Sequence, residues 1–142
     1  MNEIDYEEKA AALFASGMNC SQSVFGAFAD DLRIDSETAA KISSGLGGGV
    51  GRMRETCGAV TGAALVLGMR HGPDKAAVYP KVQEFCSAFK SEFGSLVCRE
   101  LLEGTGATIG GSPESRTAEY YRKRPCVEIV RLAARLLKIS TF

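Results

Sequence analysis

Five cysteines are the residues in this sequence with the clearest capacity for chemistry: Cys20, Cys57, Cys86, Cys98 and Cys126. No two of them form a Cys-x-x-Cys pair, so the sequence contains no local zinc-binding or thioredoxin-type motif. A cysteine thiolate can attack a disulfide or bind a metal ion. Because long stretches of chain separate the cysteines, the fold must assemble any site that uses several of them.

Four of the five cysteines lie where helices are predicted to begin. The expected capping or first residues are Asn19 for Cys20, Thr56 for Cys57, Ser95 for Cys98 and Pro125 for Cys126. A helix N-terminus presents unpaired N–H groups and a partial positive charge, both of which stabilise a thiolate. We therefore predict a functional role for these four cysteines.

Arginines near these cysteines in the sequence strengthen the prediction for Cys57. Arg52 and Arg54 precede Cys57, where a predicted helix also starts, so Cys57 is the expected attacking thiolate. Cys86 differs from the other four because it falls in mid-helix on an apolar stripe with Phe89. Free cysteines are often buried as small apolar side chains, and we expect Cys86 to be one.

The elements that must position the cysteines are predicted to be helices. Apolar residues recur at helical spacing, no long alternation typical of a strand occurs, and glycine or proline punctuates the segments. We predict an all-α, compact, single-domain bundle of about seven to eight short helices over residues 1–142. The expected starts include Ser36, Pro73 and Ser112–Pro113, and Pro80 is expected to kink a helix or delay its start.

The glycine-rich stretch "GLGGGVG", residues 45–51, precedes Cys57. Its spacing gives no Gly-x-Gly-x-x-Gly motif, and neither a preceding strand nor a following Gly-Lys-Ser/Thr supports a nucleotide site. Glycine permits positive φ and close approach of the backbone. We expect this loop to bring Cys57 into a crowded group of thiols.

Charge balance limits the classes of partner. The chain has 17 Lys and Arg residues and 17 Asp and Glu residues. This balance disfavours binding to nucleic acid or to an anionic membrane, since both require an excess of positive charge. The acidic start lacks signal-peptide character, and the longest small and apolar stretch is too short to span a bilayer. These features predict a cytoplasmic protein with no membrane span, in a compartment where structural disulfides are rare.

The order "NCSQSV", "GLGGGVG", "CGAVTGA", "SLVCRELL" and "RPCVEIV" closely resembles a bacterial family of redox-type proteins named for its C_GCAxxG_C_C pattern. The resemblance implies that its four motif cysteines are Cys20, Cys57, Cys98 and Cys126, and it leaves out Cys86. It also implies an association with a transporter system. The expected partner is an unidentified redox protein. Association with a second copy of the same chain is an alternative.

Two mechanisms could use four thiolates. The cysteines Cys20, Cys57, Cys98 and Cys126 could bind a [2Fe–2S] cluster or a tetrahedral metal ion. Alternatively, they could form two dithiol/disulfide pairs that exchange electrons without a cofactor, with three pairings allowed. A helical interaction module with inert, buried cysteines is a further alternative from a different class.

Overall fold

The computed structural model describes residues 4–139 and confirms the compact all-α architecture. The helices in this range are α1 (Tyr6–Ala15), α2 (Cys20–Ala27), α3 (Ser36–Ser43), α4 (Gly47–Val50), α5 (Gly58–His71), α6 (Lys75–Phe93), α7 (Cys98–Leu101), α8 (Ala118–Lys123) and α9 (Cys126–Lys138). A short 3-10 turn, Ser44–Leu46, precedes α4. Because α4 is a single glycine turn with left-handed residues inside, the described residues contain eight regular helices.

Several helix starts lie a few residues from their predicted positions. Asp35 rather than Ser36 caps α3, and Asp74 caps α6, so Pro80 lies within that helix. The expected helix from Ser112–Pro113 is wrong, since α8 begins only after Thr117, whose hydroxyl accepts the Tyr120 N–H. In each case the side chain that accepts a free backbone N–H decides where the helix begins.

The helices enclose one continuous apolar core. Helix α2 packs against α1 and α5, while α9 packs against α1. Five phenylalanines supply the largest fully buried side chains, namely Phe14, Phe25, Phe28, Phe85 and Phe89. Helix α9 buries residues such as Ile129, Val130 and Ala133 at helical spacing, so its Cys126 end is fixed firmly against the bundle.

None of the helices within residues 4–139 is both long enough and apolar enough to cross a membrane.

Candidate functional site

The four predicted cysteines, Cys20, Cys57, Cys98 and Cys126, line one cavity of about 50 Å³. Each lies at the amino end of a different helix: Cys20, Cys98 and Cys126 are the first residues of α2, α7 and α9, and Cys57 is the N-cap of α5. Cys86 lies in the middle of α6 and is not among the cavity residues. The fold therefore brings together the cysteines that sequence reasoning grouped.

Local hydrogen bonds fix Cys20 at the start of α2. The Asn19 side chain accepts the Gln22 N–H at 2.8 Å, and the Gln22 side chain accepts the Asn19 N–H at 3.0 Å. This reciprocal capping box makes Asn19 the N-cap, so α2 begins at Cys20. Asn19 also donates to the Ser44 carbonyl at 3.0 Å, which connects the 3-10 turn before α4 to the cavity wall.

A short antiparallel pairing holds Cys57 and Cys98. Thr56 and Val97 form a single β-bridge, the Cys57 N–H donates to the Leu96 carbonyl at 2.8 Å, and the Cys98 N–H donates to the Glu55 carbonyl at 2.6 Å. Thr56 does not cap α5 as predicted, since Cys57 is the N-cap and Thr56 pairs with Val97. No strand pattern around Thr56 or Val97 indicates this bridge in advance.

Arg54 is a buried cation in direct contact with a cavity thiol. Its side chain is only 4% exposed, and its guanidinium Nη1 donates to Cys98 Sγ at 3.7 Å. The same guanidinium donates to the Thr108 carbonyl at 2.9 Å. Arg54 therefore stabilises a thiolate at Cys98 rather than at Cys57, which it was predicted to stabilise because it precedes Cys57 in the sequence.

Arg116 and Arg124 complete the positive wall of the cavity. The Arg116 guanidinium lies 4.9 Å from the centre of the Tyr120 ring, and that of Arg124 lies 4.5 Å from it on a side chain that is 7% exposed. Both arrangements are cation–π contacts that hold the charges in place. Sequence reasoning did not predict the place of Arg124 in the cavity wall. It gave no signal for Arg116 or Tyr120.

Cys20 and Cys126 form a hydrogen-bonded thiol pair with opposite pKa shifts. The bond from Cys20 lowers the pKa of Cys126, and the charges of Arg124, Arg116 and Arg54 lower it further against the cost of burial. The same hydrogen bond and burial raise the pKa of Cys20 well above its ordinary value. The pair therefore favours a thiolate at Cys126 and a protonated thiol at Cys20.

The other two cavity thiols remain protonated. Burial raises the pKa of Cys57 to about 12, although the N–H of Ala59 favours the thiolate. Burial also raises the pKa of Cys98, against the opposing effect of its hydrogen bond from Arg54. The predicted lowering of the Cys57 pKa is therefore wrong, because loss of water outweighs the helix start in this position.

A family model described as "Putative redox-active protein (C_GCAxxG_C_C)" matches residues 18–139. The chain belongs to the C_GCAxxG_C_C family. The resemblance based on the four motif cysteines is thereby confirmed. Comparisons with characterised proteins and with solved structures found no significant match.

The structure gives the glycines of the C_GCAxxG_C_C motif a packing role. A Cβ added at Gly58 would lie 3.1 Å from the Cβ of Cys20, and one at Gly62 would lie 2.8 Å from the Ser21 carbonyl oxygen. Both glycines thus face α2 and let α5 approach it closely. In this member of the family, the motif glycines set the distance between the helices that carry Cys20 and Cys57.

A metal ion or cluster in this protein would need the four C_GCAxxG_C_C cysteines as its ligand set. Among residues 4–139, no three His, Cys, Asp or Glu side chains are placed so that they could hold a metal ion. The described arrangement therefore does not fit a four-cysteine metal centre, and metal ligation by Cys20, Cys57, Cys98 and Cys126 stays a prediction.

The opposed pKa shifts predict different pH profiles for alkylation of the native protein. The rate at Cys126 should level off at a lower pH than the rate at Cys86, whose pKa is raised by burial. The rate at Cys57 should still be rising at the highest pH tested, because its pKa is about 12. Iodoacetamide labelling at a series of pH values, followed by peptide mass spectrometry, measures each profile. Equal midpoints for Cys126 and Cys57 would contradict the assignment.

Proposed function

We propose that this protein is a thiol–disulfide redox protein in which Cys126 attacks a substrate disulfide and Cys20 resolves the intermediate. The observation that carries the proposal is the shared cavity, which brings Cys20 and Cys126 together with three arginines at the starts of two helices. The lowered pKa of Cys126 and the raised pKa of Cys20 agree with it. An attacking thiol works best when its pKa is near the ambient pH, and its partner must be within reach. The family description as redox-active agrees with this class of chemistry.

The reaction proceeds by two exchanges that balance. The Cys126 thiolate forms a bond to one sulfur of the substrate disulfide, and the other sulfur leaves as a thiolate. Cys20 then attacks the Cys126 sulfur, forms the Cys20–Cys126 disulfide and releases the second substrate thiolate. The two protein thiols lose two electrons and two protons, and the substrate disulfide becomes two thiols.

The electrostatics of the pair support this order of events. Before reaction, the hydrogen bond to Cys126 and the negative charge there both raise the pKa of Cys20. Once Cys126 is part of a mixed disulfide, it carries no charge, so this contribution disappears. Cys20 then ionises more readily at the step in which it must attack.

Cys57 and Cys98 have a different part in this proposal. Both are buried, as Cys126 is, but in these two thiols the cost of burial outweighs the effects that favour a thiolate, so the pKa of each is raised. They are expected to remain thiols while Cys20 and Cys126 are oxidised. Their negative charge would raise the pKa of the neighbouring cysteines, so their protonated state preserves the thiolate at Cys126.

The competing functions from the sequence are less well supported. A cluster or metal ion would need a ligand geometry that residues 4–139 do not provide. An inert module would not require an ionised cysteine among three arginines, as expected at Cys126. A cytoplasmic location, a redox partner protein, a transporter association and a homo-oligomer stay predictions.

Thiol counting tests the proposal. Reduced native protein is incubated with 2-hydroxyethyl disulfide, and free thiols are counted after removal of the small molecule. One pair of the five cysteines should be lost, with release of one pair of small thiols. Retention of all five until denaturant is added would identify an inert module instead.

A further inference from the structure

A surface groove of about 470 Å³ adjoins the cysteine cavity. The two share six residues, which are Asn19, Gly48, Arg54, Arg116, Tyr120 and Arg124. The groove is of the size that small-molecule sites commonly have. A molecule bound in the groove would therefore contact residues that also line the cavity containing Cys126.

The groove carries a strong local excess of positive charge. Among residues 4–139, its lining includes four arginines (Arg52, Arg54, Arg116 and Arg124) and one acidic residue, Glu114. The chain as a whole has a formal net charge of zero, so the fold concentrates cations here. Clefts lined by charge of one sign attract ligands of the opposite sign.

Glu114 shows which chemical group the arginines can accept. Its carboxylate lies 3.3 Å from Arg52 Nη1 and 3.4 Å from Arg54 Nη2, and it also pairs with Arg124. Burial raises the pKa of Glu114, but the hydrogen bond from Arg124 and the three positive charges lower it more strongly. The carboxylate is thus ionised in the groove, although its side chain remains 36% exposed.

Arg116 lies in the same groove with neutral acceptors. Its guanidinium donates to the carbonyl oxygens of Phe14 at 3.0 Å and Met18 at 2.8 Å. These contacts fix the side chain without neutralising its charge. The groove therefore has a net positive charge even though the Glu114 carboxylate pairs with the other three arginines.

We propose that this groove selects small disulfides that carry carboxylates, which bind the Arg52, Arg54 and Arg124 guanidiniums in competition with Glu114. The proposal rests on the proposed disulfide exchange and names its substrate class. The bound carboxylate holds the disulfide at the wall that the groove shares with the cysteine cavity. The two exchanges described above then convert it to two carboxylate-bearing thiols. Glu114 opposes binding because it occupies the same guanidiniums.

Three small disulfides of similar length test the selection. They are 3,3′-dithiodipropionate with two carboxylates, 2-hydroxyethyl disulfide without charge, and cystamine with two ammonium groups. At low ionic strength, oxidation of the reduced protein should be about tenfold or more faster with the dianion than with the neutral compound, and slowest with cystamine. Added salt should reduce the difference.

Two variants should change this ratio in opposite directions. Glu114→Gln should raise the rate with dithiodipropionate relative to the neutral disulfide, because the internal competitor loses its charge. Arg52→Gln should lower the same ratio. A general loss of structure would lower the rates with the charged and the neutral disulfide together. It could not raise the rate ratio in Glu114→Gln. Arg135→Gln is the matched control, since Arg135 pairs with Glu7 on α1 and is absent from the groove lining.

Adipate, a dicarboxylate without sulfur, separates this inference from the proposed redox function. Adipate should bind the wild-type protein in calorimetry, more tightly to Glu114→Gln and more weakly to Arg52→Gln. Adipate binding without oxidation by any disulfide would support the anion site and overturn the redox function. Equal oxidation by the three disulfides without adipate binding would overturn the anion site and leave the redox function standing.

Discussion

Replacing Cys126 with serine is expected to reduce disulfide exchange by roughly 10³-fold or more, as happens when other catalytic nucleophiles are removed. Serine keeps the shape of the side chain, but it supplies no thiolate for Arg124 and Cys20 to stabilise. The rate of oxidation by 2-hydroxyethyl disulfide in a stopped or quenched reaction measures the loss. Circular dichroism should show unchanged helix content.

The partner variant Cys20→Ser should fail at a later step. The Cys126 thiolate can still attack, so a mixed disulfide with one half of the substrate should accumulate and be visible by intact mass spectrometry. Cys86→Ser is the control, because Cys86 lies outside the cavity. This substitution should lower the free energy of unfolding by only about 1 kcal/mol. A larger loss of rate in Cys57→Ser than in Cys126→Ser would identify Cys57 as the attacking residue after all.

Replacing Gly49 with alanine is expected to destabilise the protein by about 2–4 kcal/mol, from a strained backbone and a steric clash. Gly49 has φ of +69°, and an added Cβ would lie 2.6 Å from the Cys98 Cβ and 2.6 Å from the Glu55 backbone nitrogen. Because the Glu55 atom belongs to the backbone, a change of rotamer cannot relieve the contact. Urea unfolding measures the change in the free energy of unfolding.

Gly45→Ala provides the matched control in the same glycine-rich segment. Gly45 has no positive φ, and an added Cβ there would meet nothing within 4 Å. Its effect on stability should stay within about 0.5 kcal/mol. Equal stability of the Gly49→Ala and Gly45→Ala proteins would show that close packing of the glycine turn against Cys98 is not required.

The grouping of the cysteines was predictable because local signals mark helix starts. Asn19 before Cys20 and Pro125 before Cys126 identify first turns from a few neighbouring residues. Once several thiols lie at helix starts, a shared electropositive cavity is a reasonable expectation. The mid-helix position of Cys86 could be predicted in the same way.

The ionisation of each cysteine could not be predicted from the sequence. Cys57 has both a helix start and nearby arginines in the chain, yet burial raises the pKa of its thiol to about 12. The pKa of Cys126 is lowered by Cys20 and also by Arg116 and Arg54, all of which are distant in the sequence. Burial and long-range contacts depend on the tertiary fold, so neighbouring residues alone do not determine them.

Contacts between the cavity wall and residues 104–116 were equally inaccessible to sequence reasoning. Glu114 contacts Arg52 and Arg54 across 60 or more residues of chain. The stretch carries glycines typical of a loop, and no periodic pattern relates it to the cysteines. Only the folded chain shows that this loop supplies a carboxylate to the groove.

The pairing of the cysteines after mild oxidation tests the central claim most directly. Native protein is oxidised with a small disulfide, the remaining thiols are alkylated, and peptides are mapped by mass spectrometry without reduction. We expect a Cys20–Cys126 disulfide, with Cys57, Cys86 and Cys98 alkylated. A first disulfide that joins Cys57 to Cys98, or that leaves Cys126 as a free thiol, would contradict it.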